Sequence, residues 1–216
     1  GTPSNTFSAD RITGSYNEIF SITGTNTFSA RTVFSLGSFT ISSGGAVTSY
    51  LNNPELNGGY KEYGIVTSSG TFAISGSIFS LNATSNTLQL FIDPNSDTTV
   101  PLPARGDDDI VPTSNVDDFR IMSDFNGIGT GSVDSSKPDP GNFVISFNNV
   151  ALDDPGKLYF PAPNPFYVDF QANGNLNPVS PSPDLDILQQ GVANLFFSDN
   201  TVPEPASLAL LSIGLF

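Results

Sequence analysis

A chain of 216 residues, 38% hydrophobic and only 13% charged, can bury about 70% of its unfolded surface and is not a disordered acidic chain. Seven basic residues face 21 acidic ones for a net charge of −14, and the basic ones are scattered at Arg11, Arg31, Lys61, Arg105, Arg120, Lys137 and Lys157. No cluster can neutralise a phosphate backbone, so nucleic acid and anionic lipid headgroups are poor partners. Cys and His are both absent, which removes disulfides, thiolate chemistry, Ser-His-Asp catalysis and the HExxH zinc site.

Period-two alternation recurs along the chain. Phe28, Ala30, Thr32, Phe34 and Leu36 share one parity, and Phe39 and Ile41 follow after Gly37. Phe72, Ile74 and Ile78 share another, as do Leu88, Leu90 and Ile92. Phe143, Ile145 and Phe147 repeat the pattern, and so do Phe166, Val168 and Phe170. Such runs are half-buried strands, and their β-branched and aromatic residues suit a pleated surface. Turn chemistry separates them in NNPELNGGY, DPNSD, SSKPDPGN, DDPGK, PAPNPF and NGNLNP, with 37 Gly and Pro residues in all (20 + 17). The expectation is an all-β chain with a single antiparallel β-sandwich or jelly-roll-like domain over residues 1–200.

Two stretches depart from that pattern. Asp93 to Asp139 carries ten of the 21 acids and few apolar residues, and reads as long acidic loops over one end of the sandwich. Asp184 to Gln190 (DLDILQQ) reads as the one short helix of the body, with Pro183 ahead of it and Asp184 as its cap.

Candidate chemistry is confined to oxygen ligands. Asp93, Asn95 and Asp97 place three of them at i, i+2 and i+4, the start of an EF-hand-like Ca2+ loop, although Thr98 and Ala104 break the rest of that pattern. Asp107, Asp108 and Asp109 form a second candidate for Ca2+, and Asp124 with Asn126 a weaker third. The bland alternatives are a polar turn and solvated loops. Tyr16, Tyr50, Tyr60, Tyr63, Tyr159 and Tyr167 are candidate sugar platforms, or strand residues with the hydroxyl at an edge. Asn82-Ala-Thr84 matches a glycosylation sequon. No residue is a candidate catalytic group.

The C-terminus is unlike the body. Val202-Pro203-Glu204-Pro205 precedes the eleven uncharged residues Ala206–Phe216, among them Leu208, Leu210, Leu211, Ile213, Leu215 and Phe216. This segment resembles a PEP-CTERM sorting signal, whose full form is a Pro-Glu-Pro box, an apolar span and a basic cluster. Eleven residues are too few to cross a hydrocarbon core, which takes about 20, and no basic cluster follows. Residues 201–216 are therefore set apart as a partial sorting segment.

A second resemblance lies in FSADRITGSYNEIFSI, FSARTVFSLGSF, YKEYGIVTSSGTF and LQLFID. Phe7, Ala9, Asp10, Gly14, Tyr16, Glu18, Tyr60 and Tyr63 match the pattern of the flocculation-associated PEP-CTERM proteins, as do GNFVISFNNVAL, PNPFYVDF and GVANLFF. The match covers about two thirds of the chain. That resemblance implies a secreted or cell-surface, non-enzymatic protein of Gram-negative bacteria that make extracellular polysaccharide. It also implies handling by exosortase-type processing machinery during export. It brings no catalytic residues.

The expected function is aggregation, floc or biofilm formation within an extracellular polysaccharide. An apolar terminus frays unless something covers it, so the tail is expected to pack in a subunit interface of a homo-polymer, such as a filament. The alternative is a calcium-dependent polysaccharide-binding module. A hydrolase with two facing carboxylates of raised pKa is a third class.

Overall fold

The structure is a computed structural model and describes residues 9–43, 46–51, 60–102, 109–134, 136, 141–160, 167–174 and 186–198. These residues form ten strands and one short helix. In chain order they are β1 (Arg11–Ile22), β2 (Thr27–Ser43), β3 (Ala46–Leu51), β4 (Lys61–Ser75), β5 (Ile78–Asp93), β6 (Phe119–Asp134), β7 (Gly141–Phe147), β8 (Ala151–Leu152), α1 (Asp154–Tyr159), β9 (Tyr167–Gly174) and β10 (Asp186–Ser198).

All pairings between strands are antiparallel, and the order is β1-β10-β9-β7-β6-β5-β4-β2. β2 then pairs with β1, from Phe28 opposite Ile22 to Thr40 opposite Arg11. That last ladder closes an eight-stranded barrel. The all-strand expectation therefore holds, but the sandwich or jelly roll does not. Each strand of the ring has two neighbours, and among the described residues no second sheet faces the first. The first and last described strands lie side by side in the wall, with Arg11 opposite Phe196 and Ser21 opposite Asp186.

Alternation along each strand fills the interior. Two apolar clusters occupy it. One contains Tyr16, Phe34, Val66, Leu88, Leu90, Ile121, Met122, Ile145, Phe147, Phe170 and Leu195. The other contains Phe20, Ile22, Phe28, Phe72, Phe79, Ala83 and Val133. Stacked rings pack the second, with Phe20 and Phe28 centroids 5.0 Å apart and Phe72 and Phe79 4.8 Å apart. The outward parity carries Ser15, Asn17, Ser29, Ser35, Thr67, Ser69, Thr71, Ser80 and Asn82.

Two stretches differ from the sequence-based expectation. β6 is a 16-residue strand inside the region read as acidic loops. Its inward positions include Gly127, Gly129 and Gly131, which carry no apolar side chain to mark a strand. Neighbouring side chains from β7 take that space. A Cβ at Gly127 would lie 2.7 Å from Phe147 Cδ1, one at Gly129 2.9 Å from Ile145, and one at Gly131 2.5 Å from Phe143.

The region read as a helix at Asp184–Gln190 instead enters β10 at Asp186. Gln189, Gly191, Ala193 and Leu195 face inward there, and Leu188 faces out. Among the described residues the one helix is α1, from the stretch read as a DDPGK turn. Pro155 sits in its first turn, where the missing N–H costs nothing.

Candidate functional site

Between the two apolar clusters lies a layer of inward polar groups. Glu18 separates Tyr16 from Phe20 on β1, and Thr32 separates Phe34 from Ala30 on β2. Ser68 lies between Val66 and Phe72 on β4, and Asn86 between Leu88 and Ala83 on β5. Thr32 Oγ1 donates to Glu18 Oε2 at 2.5 Å. Ser68 Oγ donates to Asn86 Oδ1 at 2.6 Å, and Asn86 Nδ2 donates to the Ala83 and Gly127 carbonyls at 3.1 and 2.8 Å. Asn86 sits at a register shift of β5 against β6, so its amide satisfies backbone groups that the interrupted ladder leaves over. Burial pushes the Glu18 carboxyl up to about 7, while the Thr32 hydroxyl pulls the other way. Gln189 stands opposite Glu18 in the β1–β10 ladder, and its buried Oε1 has no hydrogen-bond partner among the described residues.

A second buried carboxyl lies near the start of β4. Tyr159, the last residue of α1, donates to Glu62 Oε1, and the Tyr60 and Tyr159 hydroxyls are 2.6 Å apart. Glu62 Oε2 is buried without a partner among the described residues. Burial drives the Glu62 carboxyl up to about 7, against the opposing effect of the Tyr159 hydroxyl. Burial raises Tyr60 to about 12 and raises Tyr159 as well. The helix is held in place by close packing, since a Cβ at Gly156 would collide with the Ile121 carbonyl. Arg120 anchors its start, donating from Nε to Asp153 Oδ2 at 2.7 Å. Asp153 thus spends its carboxylate on Arg120 and makes no side-chain cap bond to the helix.

The acidic stretch before β6 crosses the outside of the wall. Ile110, only 1% exposed, packs with Ile19, Val33 and Tyr63, and with Ile65, Phe91, Val100 and Leu188 around them. Arg31 Nε donates to the Ile110 carbonyl at 3.1 Å and pairs with Asp109. Thr99 and Thr113 bridge the strap to itself, and Asp118 Oδ2 accepts from Tyr63 at 2.7 Å and from Thr98 Oγ1 at 2.8 Å. The described parts of this stretch, residues 94–102 and 109–118, thus lie along the side of the barrel and not over one end of a sandwich.

This geometry places the cation candidates individually. Asp93 is fully buried, and its two carboxylate oxygens accept the Asp97 and Thr98 backbone amides at 3.2 and 3.0 Å. That is a turn stabilised by its first side chain. Asn95 Nδ2 donates to Asp117 Oδ2 at 2.6 Å, and Asp97 is exposed. Asp109 belongs to the Arg31 pair, while Asp107 and Asp108 lie outside the described residues. Asp124 accepts the Asn126 and Asn149 amides at 2.8 and 2.7 Å. Among the described residues no three acidic groups come together as a metal site.

Of the tyrosines, Tyr16 and Tyr63 are buried, and Tyr60 and Tyr159 bond to each other. The side chains of Tyr50 and Tyr167 lie outside the described set, as do Pro203, Glu204, Pro205 and the rest of the sorting segment to Phe216. Asn82 and Thr84 of the sequon are exposed on β5.

Glu18 and Glu62 were not singled out as chemistry from the sequence. The available signal was parity: each is an acid on the inward face of its strand, Glu18 in line with Gly14 and Tyr16, Glu62 with Gly64 and Val66. Both are over nine-tenths buried and have different partners, which suits structural hydrogen bonding more than acid–base work on a substrate. No protein-family model matches the chain, and searches of curated proteins and of solved structures find no match either.

Proposed function

We propose that the chain is a non-enzymatic matrix protein, secreted or held at the cell surface, that promotes aggregation, floc or biofilm formation. Extracellular polysaccharide and further copies of the chain are its partners, and the apolar C-terminal segment packs in a subunit interface. Exosortase-type machinery handles that segment during export.

One observation carries the reading: the barrel interior is occupied by side chains. The Phe34 ring lies where a side chain at Gly64 would be, and rings from β7 do the same at Gly127 and Gly131. A body packed in this way presents its chemistry on its outer wall. That wall carries hydroxyl and amide groups already in hydrogen-bonded pairs, Thr67 with Thr87 at 2.6 Å and Thr13 with Asn194 at 2.9 Å. Such groups suit exchange with a hydroxylated polymer.

The test uses an exporting strain that lacks the protein and is complemented with the full chain or with a chain ending before Pro203. Full-chain cells are expected to settle and purified full chain to sediment with exopolymer. Equal settling of all three strains, or no sedimentation with polymer, overturns the proposal.

A further inference from the structure

The closed ring leaves few free strand edges. β2 is 17 residues long and serves two partners on one side: Thr27–Leu36 pair with β4, and Ser38–Ser43 pair with β3. Besides the two-residue β8, β3 is the one strand off the ring among the described residues. Its far edge has no strand partner among them. An open edge presents a row of N–H and C=O groups that template another strand.

Natural edges are commonly blunted by Lys, Pro, a bulge or an inward charge. β3 reads Ala46-Val-Thr-Ser-Tyr-Leu51 and contains no charge, no Pro and no Gly. Its ladder with β2 runs without a register shift from Ser38–Leu51 to Ser43–Ala46. The charge distribution selects the same place. The chain carries 21 acids and a net charge of −14, yet no acid lies between Glu18 and Glu55, and Arg31 is the single charge there. Two copies of so acidic a chain repel each other over most of their surface. The β2 and β3 strands themselves bring no carboxylate to such a meeting.

We propose that β3 is a self-docking edge: two copies pair their Ala46–Leu51 strands antiparallel about a two-fold axis, joining the two barrels through one continuous ribbon. An edge strand is self-complementary in this arrangement, since the same patch serves both copies. The inference names a contact for the self-association proposed above and rests on that reading.

The absence of cysteine makes the test clean. Single variants Ala46→Cys, Val47→Cys, Thr48→Cys, Ser49→Cys, Tyr50→Cys and Leu51→Cys are made in the full chain, with Ser80→Cys on the exposed wall as control. About a two-fold axis one residue of the strand faces its own copy, with Cα atoms about 4.5–5.5 Å apart, within disulfide reach. Residues on either side do not. Mild oxidation is therefore expected to cross-link one position many times faster than the control, and the wild-type chain is expected to sediment as a dimer. A monomer at every concentration overturns the proposal. So does cross-linking no faster than the control, or equal at all six positions. Six variants keep the result readable should one fail to fold. Cell aggregation by a chain whose β3 variants cross-link no faster than the control sinks this inference alone, whereas a β3 dimer that fails to aggregate cells sinks the functional reading alone.

Discussion

The Phe34 ring on β2 occupies the volume that a side chain at Gly64 on β4 would need, and the two residues are directly paired in the ladder. Phe34 is fully buried and also packs on Phe170, ring centroids 5.3 Å apart, so it has no free space to move into. Gly64→Ala is expected to destabilise the fold by about 1–3 kcal/mol, although Ala ordinarily suits a strand better than Gly. Phe34→Leu in the same background should recover part of that loss, because residues in contact do not contribute additively. Chemical denaturation of the single and double variants measures the coupling. Additive losses would show that the ring and the glycine do not share the space.

The buried carboxyls make stability depend on pH. Glu18 and Glu62 have folded-state pKa values of about 7 against 4.5 for the free side chain. The folded chain thus holds these protons more tightly than the unfolded chain. Their contribution is full below pH 4.5, is lost as pH rises towards about 7, and is level above that. Each group is worth on the order of 3 kcal/mol across that window. Glu18→Gln keeps an acceptor for Thr32 and removes the titration. Its thermal midpoint should match wild type at pH 4 and exceed it at pH 8. Tyr159→Phe removes a donor that holds the Glu62 pKa down, so its loss of stability should be larger at pH 8 than at pH 5. A pH-independent difference in either variant contradicts the assignment.

Ile110 is the fully buried apolar side chain by which the acidic strap packs on the wall. Ile110→Ala removes buried methyl groups from the Ile19, Val33 and Tyr63 cluster and should cost about 2–4 kcal/mol. Limited proteolysis is expected to cut residues 99–113 faster, ahead of the barrel. Wild-type cleavage rates in the variant would mean that Arg31 and the Tyr63–Asp118 hydrogen bond hold the strap to the wall without Ile110.

Asp93 acts through the backbone. Asp93→Ala leaves the Asp97 and Thr98 amides without their acceptor and should cost about 1–3 kcal/mol. The loss should be the same in excess Ca2+ and in chelator, read by thermal unfolding. A calcium-dependent stabilisation of wild type that this substitution abolishes would instead favour the cation loop.

Much of the wall was legible because its alternation is local. Phe28, Ala30 and Phe34 share one parity, Leu88, Leu90 and Ile92 another, and these groups do face inward. The inward face of β6 was illegible because Gly127, Gly129 and Gly131 stand where side chains of β7 fill the space, so the apolar mark lies on β7 and not on β6. At the start of β10 the inward Gln189 and Gly191 carry no apolar side chain either. The Glu18 and Glu62 environments were hidden in the same way. An acid on an inward parity is visible, but its partners Thr32 and Tyr159 lie 14 and 97 residues away.

Composition and period-two patterning by themselves determined that this chain is built of antiparallel-type strands, without cysteine or histidine chemistry. Whether those strands stack as two sheets or close into one was decided only by tertiary pairing. Both architectures bury one face of each strand and so demand the same alternation. The difference rests on β1 pairing both with β2 and with β10, the latter bringing Arg11 opposite Phe196, a contact whose favourable energy exists only once the whole wall has formed.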